Sequence, residues 1–360
     1  MFTGELERVA YYLLVVAFTY SAMTRYAYVD MTMPERENNS RIGASLALAV
    51  GIVWLIGLMP LTGHYTADRA NYVSWYVIYV NHFTGFSWHK TNFVFDNFYE
   101  YIAGKGISAE FVFLPVSIIY IGCLLWACKR YFPNDTLLAF VVALGAFSSY
   151  SYGTNGAKAG AAASLFLVAL AYRENKKLAA LFCFLSIGFH HSMIAPIAAF
   201  VLALFIKEKK YFLYIWLVSL VMAAFHVTYF QGVFAGYSNE RGTDYLQNTS
   251  NIVSGFRPDF ILYSAIPILL GYYLTKKYDI KSEIYNFLWN VYTTTNAVFL
   301  LCTYASYINR IAYLSWAMYP VVILYPFLNF DLGEKQYQYL RYVVYGHLGF
   351  TLFMDIVYYG

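Results

Sequence analysis

Apolar stretches of nearly twenty residues recur along this chain between short charged loops, and that pattern restricts the folds open to it. Roughly 20 residues of helix cross a bilayer core. Stretches approaching that length lie at 6–28, 42–61, 107–128, 135–152, 157–173, 211–229, 258–275, 284–302, 308–330 and 339–358. With 60% hydrophobic and 12% charged residues, a 360-residue chain is far too apolar for a soluble domain. It reads as an all-α polytopic integral membrane protein, a single membrane domain over 1–360.

The stretch Leu178–Ile206 needs a separate decision. As one helix it would be about 43 Å long at 1.5 Å per residue, well beyond a bilayer core. The polar triplet His190-His191-Ser192 interrupts it. Charge decides between one helix and two. Loops carrying Arg36 and Arg41, Lys129 and Arg130, Arg173 with Lys176 and Lys177, Lys276 with Lys277 and Lys281, and Lys335 with Arg341 share one face if the spans alternate. That face is cytoplasmic by the positive-inside rule. Lys207, Lys209 and Lys210 join it only if 178–206 goes out and returns as two short segments, re-entrant or just spanning, with His190-His191 at the outer tip. This frame puts 16 of the 24 Lys and Arg inside and 8 outside, with about 12 transmembrane or half-membrane helices and both termini outside. The first apolar stretch lacks a basic leader and a small-residue cleavage site, so it is expected to be the first span. The longest outer loops, 62–106 and 230–257, are expected to face substrate. The first of them, with Trp75, Tyr76, Tyr79, Phe83, Phe86 and Trp88, reads as a helix lying in the interface.

A net charge of +4 implies no nucleic-acid surface. The 38 Tyr and 30 Phe exceed what interfacial belts demand, and some are expected to wall a sugar-binding cleft. Cys123, Cys128, Cys183 and Cys302 all lie in apolar segments and suggest neither a disulfide nor a metal site.

The same frame gathers Asp68, Lys158, His190, His191, Arg241, Arg257 and Arg310 on the outer side. Ionisable groups near hydrocarbon are costly and mark function by default. The run Ser148–Ser164 is a polar turn, Asn155-Gly156, feeding a helix of very small residues. Backbone N–H groups at such a helix start suit an anion, and Lys158 adds charge for a phosphate. A snorkelling lysine at a tight helix contact explains the same residue. His190 and His191 have no Cys or carboxylate at metal-ligand spacing, so acid–base work fits them better than zinc. Consecutive positions point about 100° apart on a helix, so at most one of the two is expected to face a cavity, and His190 is favoured. Arg241, Arg257 and Arg310 sit at outer helix edges, where guanidinium forks match a diphosphate. Asp259 lies two residues from Arg257 and offers a simple ion pair instead. Asp68 opens the first outer loop and can orient or deprotonate a hydroxyl, with Arg69 beside it as a neutralising charge.

Along these stretches, from Asp68-Arg69-Ala70-Asn71-Tyr72 through Ser148–Ala163, His190-His191-Ser192 and Gly255–Phe260 to Asn309-Arg310-Ile311-Ala312-Tyr313, the chain resembles the EpsG family of Wzy-like bacterial polysaccharide polymerases. The order of the motifs within one hydropathy frame carries the resemblance. The family usually has an Arg two residues after Asn-Gly, where this chain has Lys158, which keeps the charge and loses the fork. The resemblance implies an inner-membrane glycosyltransferase, with a GT-C-like arrangement, that needs no cofactor or metal. Donor and acceptor would both be undecaprenyl-diphosphate-linked oligosaccharides, joined on the periplasmic side into O-antigen, capsule or exopolysaccharide. A flippase and a chain-length regulator would be partners. Asp68, His190 or His191 would serve as base. Lys158, Arg241, Arg257 and Arg310, with Asn155 and Tyr72 of the same motifs, would hold the substrate and its diphosphate. An O-antigen-ligase-like transferase differs only in acceptor. A lipid-linked oligosaccharide flippase should show charge on both sides and often an internal repeat, and no repeat is visible. A membrane acyltransferase would draw its donor from the inner side.

Overall fold

The structure is a computed structural model that describes residues 4–26, 40–61, 67–80, 85–235 and 256–359. Among these residues all regular structure is helical. In chain order the helices are α1 (Gly4–Met23), α2 (Ile42–Gly57), α3 (Ala67–Tyr79), α4 (Phe93–Gly104), α5 (Glu110–Tyr131), α6 (Thr136–Leu144), α7 (Ser149–Thr154), α8 (Ala157–Ala171), α9 (Lys176–Phe189), α10 (Ile194–Phe205), α11 (Lys209–Ala224) and α12 (Tyr229–Ala235). They continue with α13 (Pro258–Lys277), α14 (Glu283–Leu301), α15 (Ile308–Trp316), α16 (Tyr319–Asn329) and α17 (Gln336–Leu352), which runs into a π-helical turn, Phe353–Tyr358. Every apolar stretch of the sequence carries helix. Among the described residues, two runs are long and apolar enough to cross a membrane alone: α5, and Ile308–Asn329 taken through the turn between α15 and α16. At 1.5 Å per residue, 22 residues give about 33 Å, matching a core of about 30 Å.

The chain divides into two compact units, residues 1–191 with 327–360, and residues 192–326. In the first, α8 packs against α5 and α9. The small residues predicted to permit close approach do so: Gly160, Ala161, Ala162, Ala163 and Ser164 are all buried. The Ser186 hydroxyl of α9 donates to the Ala162 carbonyl at 2.7 Å. Every residue of α6 is buried, as expected for a helix apolar all round.

Two sequence expectations change here. Residues 135–152 do not form one span, because the helix breaks between α6 and α7. The carbonyls freed there are taken by hydroxyls, Ser149 Oγ donating to Ala143 O at 2.5 Å and Tyr11 to Leu144 O at 2.8 Å. A serine that offers the backbone another partner competes with helix continuation. Residues 62–106, expected to hold a single interfacial helix, carry two helices, α3 and α4. They meet through their aromatic residues, with Tyr72 near Phe95 and Tyr99 at ring separations of 5.7 and 6.0 Å.

The second unit is built round α14, whose polar residues Asn290, Thr293, Thr295 and Asn296 are buried. Trp216 Nε1 donates to Asn296 Oδ1 at 2.8 Å, and Asn296 Nδ2 donates to Ser315 Oγ at 3.1 Å. Trp316 Nε1 donates to Ser264 Oγ at 2.6 Å. Such interhelical bonds tie helices together where lipid gives no hydrophobic drive.

The interruption expected at the histidine pair is present. His190 ends α9 with extended backbone (φ −151°, ψ 118°), and a 3₁₀ turn, His191–Met193, leads into α10. The two helices are about 21 and 18 Å long, neither a full crossing.

Candidate functional site

The site in the first unit starts from the α7–α8 junction. Asn155 and Gly156 connect the two helices, and an added Cβ at Gly160 would sit 2.6 Å from the Tyr152 carbonyl oxygen. Only glycine lets α7 fold back this closely on the first turn of α8. The Asn155 and Gly156 N–H groups both donate to Ser151 O, at 3.0 and 2.8 Å, which closes the end of α7. The Asn155 Oδ1 is buried and has no hydrogen-bond partner among the described residues.

Lys158 is half-buried on the first turn of α8, its Nζ 5.8 Å from the Tyr72 ring centroid and 5.4 Å from that of Phe95. Tyr72 comes from α3 and Phe95 from α4, so three helices fix the ammonium. Asp96, next to Phe95, feels the Lys158 charge. Burial pushes its carboxyl above the ordinary value, and the ammonium draws it part of the way back. Its Oδ2 accepts from the Asn92 N–H at 3.1 Å, and the Asn92 Oδ1 accepts from the His191 N–H at 2.9 Å. Asn92 therefore links the start of α4 to the histidine break. Gly188 makes that contact close, since a Cβ there would meet Val94 Cγ2 at 2.4 Å. Phe95 is shared, lying against Lys158 on one side and 6.4 Å from the Phe189 ring on the other. His190 and His191 are both half-buried at this break.

Arg69 does something the sequence does not announce. It is fully buried, and rather than resting beside Asp68 its guanidinium donates to four carbonyls: Thr154 at 3.1 Å, Met59 at 3.3 Å, Gly153 at 3.2 Å, and Ile56. These belong to the C-terminal ends of α2 and α7 and the residues just beyond, where carbonyls lack intrahelical partners. Its carbon also lies 4.4 Å from the Phe113 ring centroid. Burial lowers its pKa to about 10, which leaves it charged at neutral pH. Arg69 thus pins α3, and with it Tyr72, to the helix that leads into Asn155 and Lys158.

Asp68 lies on the first turn of α3, but its side chain is outside the described residues, as is the whole of Arg241. Arg257 and Arg310 belong to the second unit. Arg257 caps α13 and grips Asp259 with both ends of its fork, Nε–Oδ1 2.9 Å and Nη2–Oδ2 2.5 Å, while stacking 4.0 Å from the Phe260 ring centroid. The short-range ion pair that the spacing offered is formed. Arg310 is exposed, its guanidinium 5.0 Å from the Tyr307 ring centroid.

The structure therefore brings Asn155, Lys158 and Tyr72 together, with the histidine break reached through Asn92 and Phe95. Asp96 and Asn92 were not singled out from sequence. The available signal was an asparagine just before, and a carboxylate in, the first turn of an amphipathic segment within 62–106. A cation held by aromatic rings can meet the charge of a departing oxyanion, and a carboxyl beside it can exchange a proton.

An assembly of helices drawn from a strongly apolar chain, two of its runs long enough to cross a membrane, fits a helical membrane protein. Residues 47–359 match the EpsG family, and the chain belongs to it. It is accordingly a polysaccharide-polymerase-like membrane protein. No curated protein and no solved structure matches the chain.

Proposed function

We propose that this protein polymerises undecaprenyl-diphosphate-linked oligosaccharide repeat units on the periplasmic face of a bacterial inner membrane, without a metal or cofactor. The observation that carries the reading is Lys158, held against Tyr72 and Phe95 three residues on from Asn155, whose Oδ1 has no hydrogen-bond partner among the described residues. The acceptor sugar's hydroxyl attacks the anomeric carbon of the donor. The new glycosidic C–O bond forms as the bond to the diphosphate breaks, and the hydroxyl proton passes to a base. Attack from the face opposite the diphosphate inverts the anomeric centre. Asp68, His190 and His191 are the bases proposed from sequence, and Asp96 joins them on its proximity to Lys158. Lys158 meets the negative charge on the leaving diphosphate, with Arg241, Arg257 and Arg310 as further cations. Arg257 can serve only by sharing its fork with Asp259. A flippase supplying the repeats and a chain-length regulator are the partners this chemistry calls for.

The test is expression in a host that lacks its own polymerase but makes the cognate lipid-linked repeat, with the glycan run on a gel. A ladder for the wild type, lost in Lys158→Ala and His190→Ala, supports the reading. A single repeat band in every lane, with the repeat shown to reach the outer leaflet, refutes polymerisation.

A further inference from the structure

The first unit holds a second polar cluster that this chemistry does not use. Tyr11 and Tyr12 of α1 and Tyr150 of α7 form a triangle of rings, with centroids 5.3, 5.2 and 5.6 Å apart. The Tyr11 hydroxyl is spent on Leu144 O, and the Tyr12 hydroxyl donates to Asp355 in the π-helical turn after α17. Tyr150 is only 7% exposed, and its hydroxyl has no hydrogen-bond partner among the described residues. Glu7, 9% exposed, likewise keeps its Oε2 without one. Both belong to one place: Tyr150 lies against Tyr11 and against Tyr12, the partner of Asp355, while Glu7 sits one turn before Tyr11 on α1 and, with Arg8, Arg69 and Asp355, acts electrostatically on Tyr150.

Buried polar atoms are normally satisfied, so two orphans within one cluster call for a ligand. The charges say which kind. Two carboxylates and two guanidiniums cancel, whereas a phosphate calls for surplus positive charge and a metal for surplus carboxylate. A balanced set of tyrosine hydroxyls and carboxylate oxygens, walled by rings, suits a neutral polyhydroxyl compound: hydroxyls donate to the carboxylates, and ring faces cover apolar C–H surface. Asp355 sits in a π-helical turn, a feature that recurs at functional sites. The cluster is also close to the proposed chemistry. α7 carries Tyr150 and is held by Arg69 through Gly153 and Thr154, and its chain runs directly into Asn155 and Lys158.

We propose that Glu7, Tyr12, Tyr150 and Asp355 form a carbohydrate subsite that holds the hydroxyls of the oligosaccharide, one short helix away from Lys158. The identity of its ligand as substrate rests on the polymerase reading. Glu7 and Tyr12 precede the residues that match the family, 47–359, while Tyr150 and Asp355 lie within them.

The test uses the full chain in detergent and, as probe, the repeat-unit oligosaccharide freed of lipid and diphosphate by mild acid, with affinity measured by calorimetry. The wild type should bind it. Tyr150→Phe should weaken binding roughly 2- to 10-fold, the loss of one hydrogen bond. The unfolding temperature of ligand-free Tyr150→Phe should not fall, because the variant removes a hydroxyl that has no partner. Glu7→Gln should weaken binding as well. Equal affinity in wild type and Tyr150→Phe, or no binding by the wild type, overturns the subsite. Polymer formation is scored separately on the gel. Polymer with unchanged affinity removes the subsite alone; Tyr150-dependent binding without polymer keeps the subsite and removes the polymerase reading.

Discussion

Replacing Arg69 with lysine tests whether a buried guanidinium fork ties α3 to the ends of α2 and α7. The four carbonyls it serves, on Ile56, Met59, Gly153 and Thr154, come from two separate stretches of chain and approach the guanidinium from Nε, Nη1 and Nη2. A lysine keeps the charge and some of the attraction to Phe113. Its three donors radiate from a single atom and cannot span the same set. At least two of the four bonds should be lost. Hydrogen bonds to charged groups contribute about 1.5–3 kcal/mol each, so the change should cost at least ~3 kcal/mol. For a cooperative unit of 150–250 residues, ~1 kcal/mol moves Tm by about 2–4 °C, which predicts a fall of roughly 6–12 °C. Thermal unfolding of detergent-purified protein, followed by tryptophan fluorescence, measures it. A fall below about 2 °C would show that the carbonyls find other partners, and the argument that Arg69 positions α3 and α7 would be wrong.

Three further expectations concern the site itself. Gly160→Ala places a methyl against the Tyr152 backbone and should destabilise by about 1–3 kcal/mol while reducing polymer, read by unfolding and by gel; unchanged behaviour in both would contradict the close α7–α8 packing. Lys158→Arg restores a fork toward the diphosphate and should retain polymer where Lys158→Ala loses it; equal ladders from the two variants would remove the charge from the mechanism. Because the Asp96 carboxyl lies above its ordinary pKa in the folded protein, the fold binds its proton more tightly than the unfolded chain does. Its contribution to stability is whole below the unfolded pKa and fades as pH rises through the folded one. Asp96→Asn should therefore gain stability relative to wild type on going from about pH 4 to about pH 8, and a difference in Tm that is flat across that range would count against the burial of this carboxyl.

Much of the helical plan is legible because its causes are local. Apolar runs long enough to matter appear as helix wherever they are described, and the His190-His191-Ser192 triplet interrupts 178–206 as its polarity predicts. The Arg257–Asp259 pair was readable too, since two residues at the start of a helix need nothing else to meet. The break between α6 and α7 was not readable, because it depends on a Tyr11 hydroxyl arriving from more than a hundred residues away to take the Leu144 carbonyl. Nor was the role of Arg69: the sequence shows a cation next to Asp68, while the fold gives it carbonyls 10 to 85 residues distant.

Sequence alone settles that this chain is helical, that it is too apolar for water, and which few ions it places near hydrocarbon, because hydropathy and helix capping act over a handful of neighbours. Tertiary structure decides which of those ions meet. Lys158 lies near Tyr72 and Phe95, and Tyr12 meets Asp355 from the far end of the chain, because helix packing carries distant side chains together. Hydrogen bonds and ring contacts reach only a few ångströms, so such meetings depend on packing that no local pattern encodes.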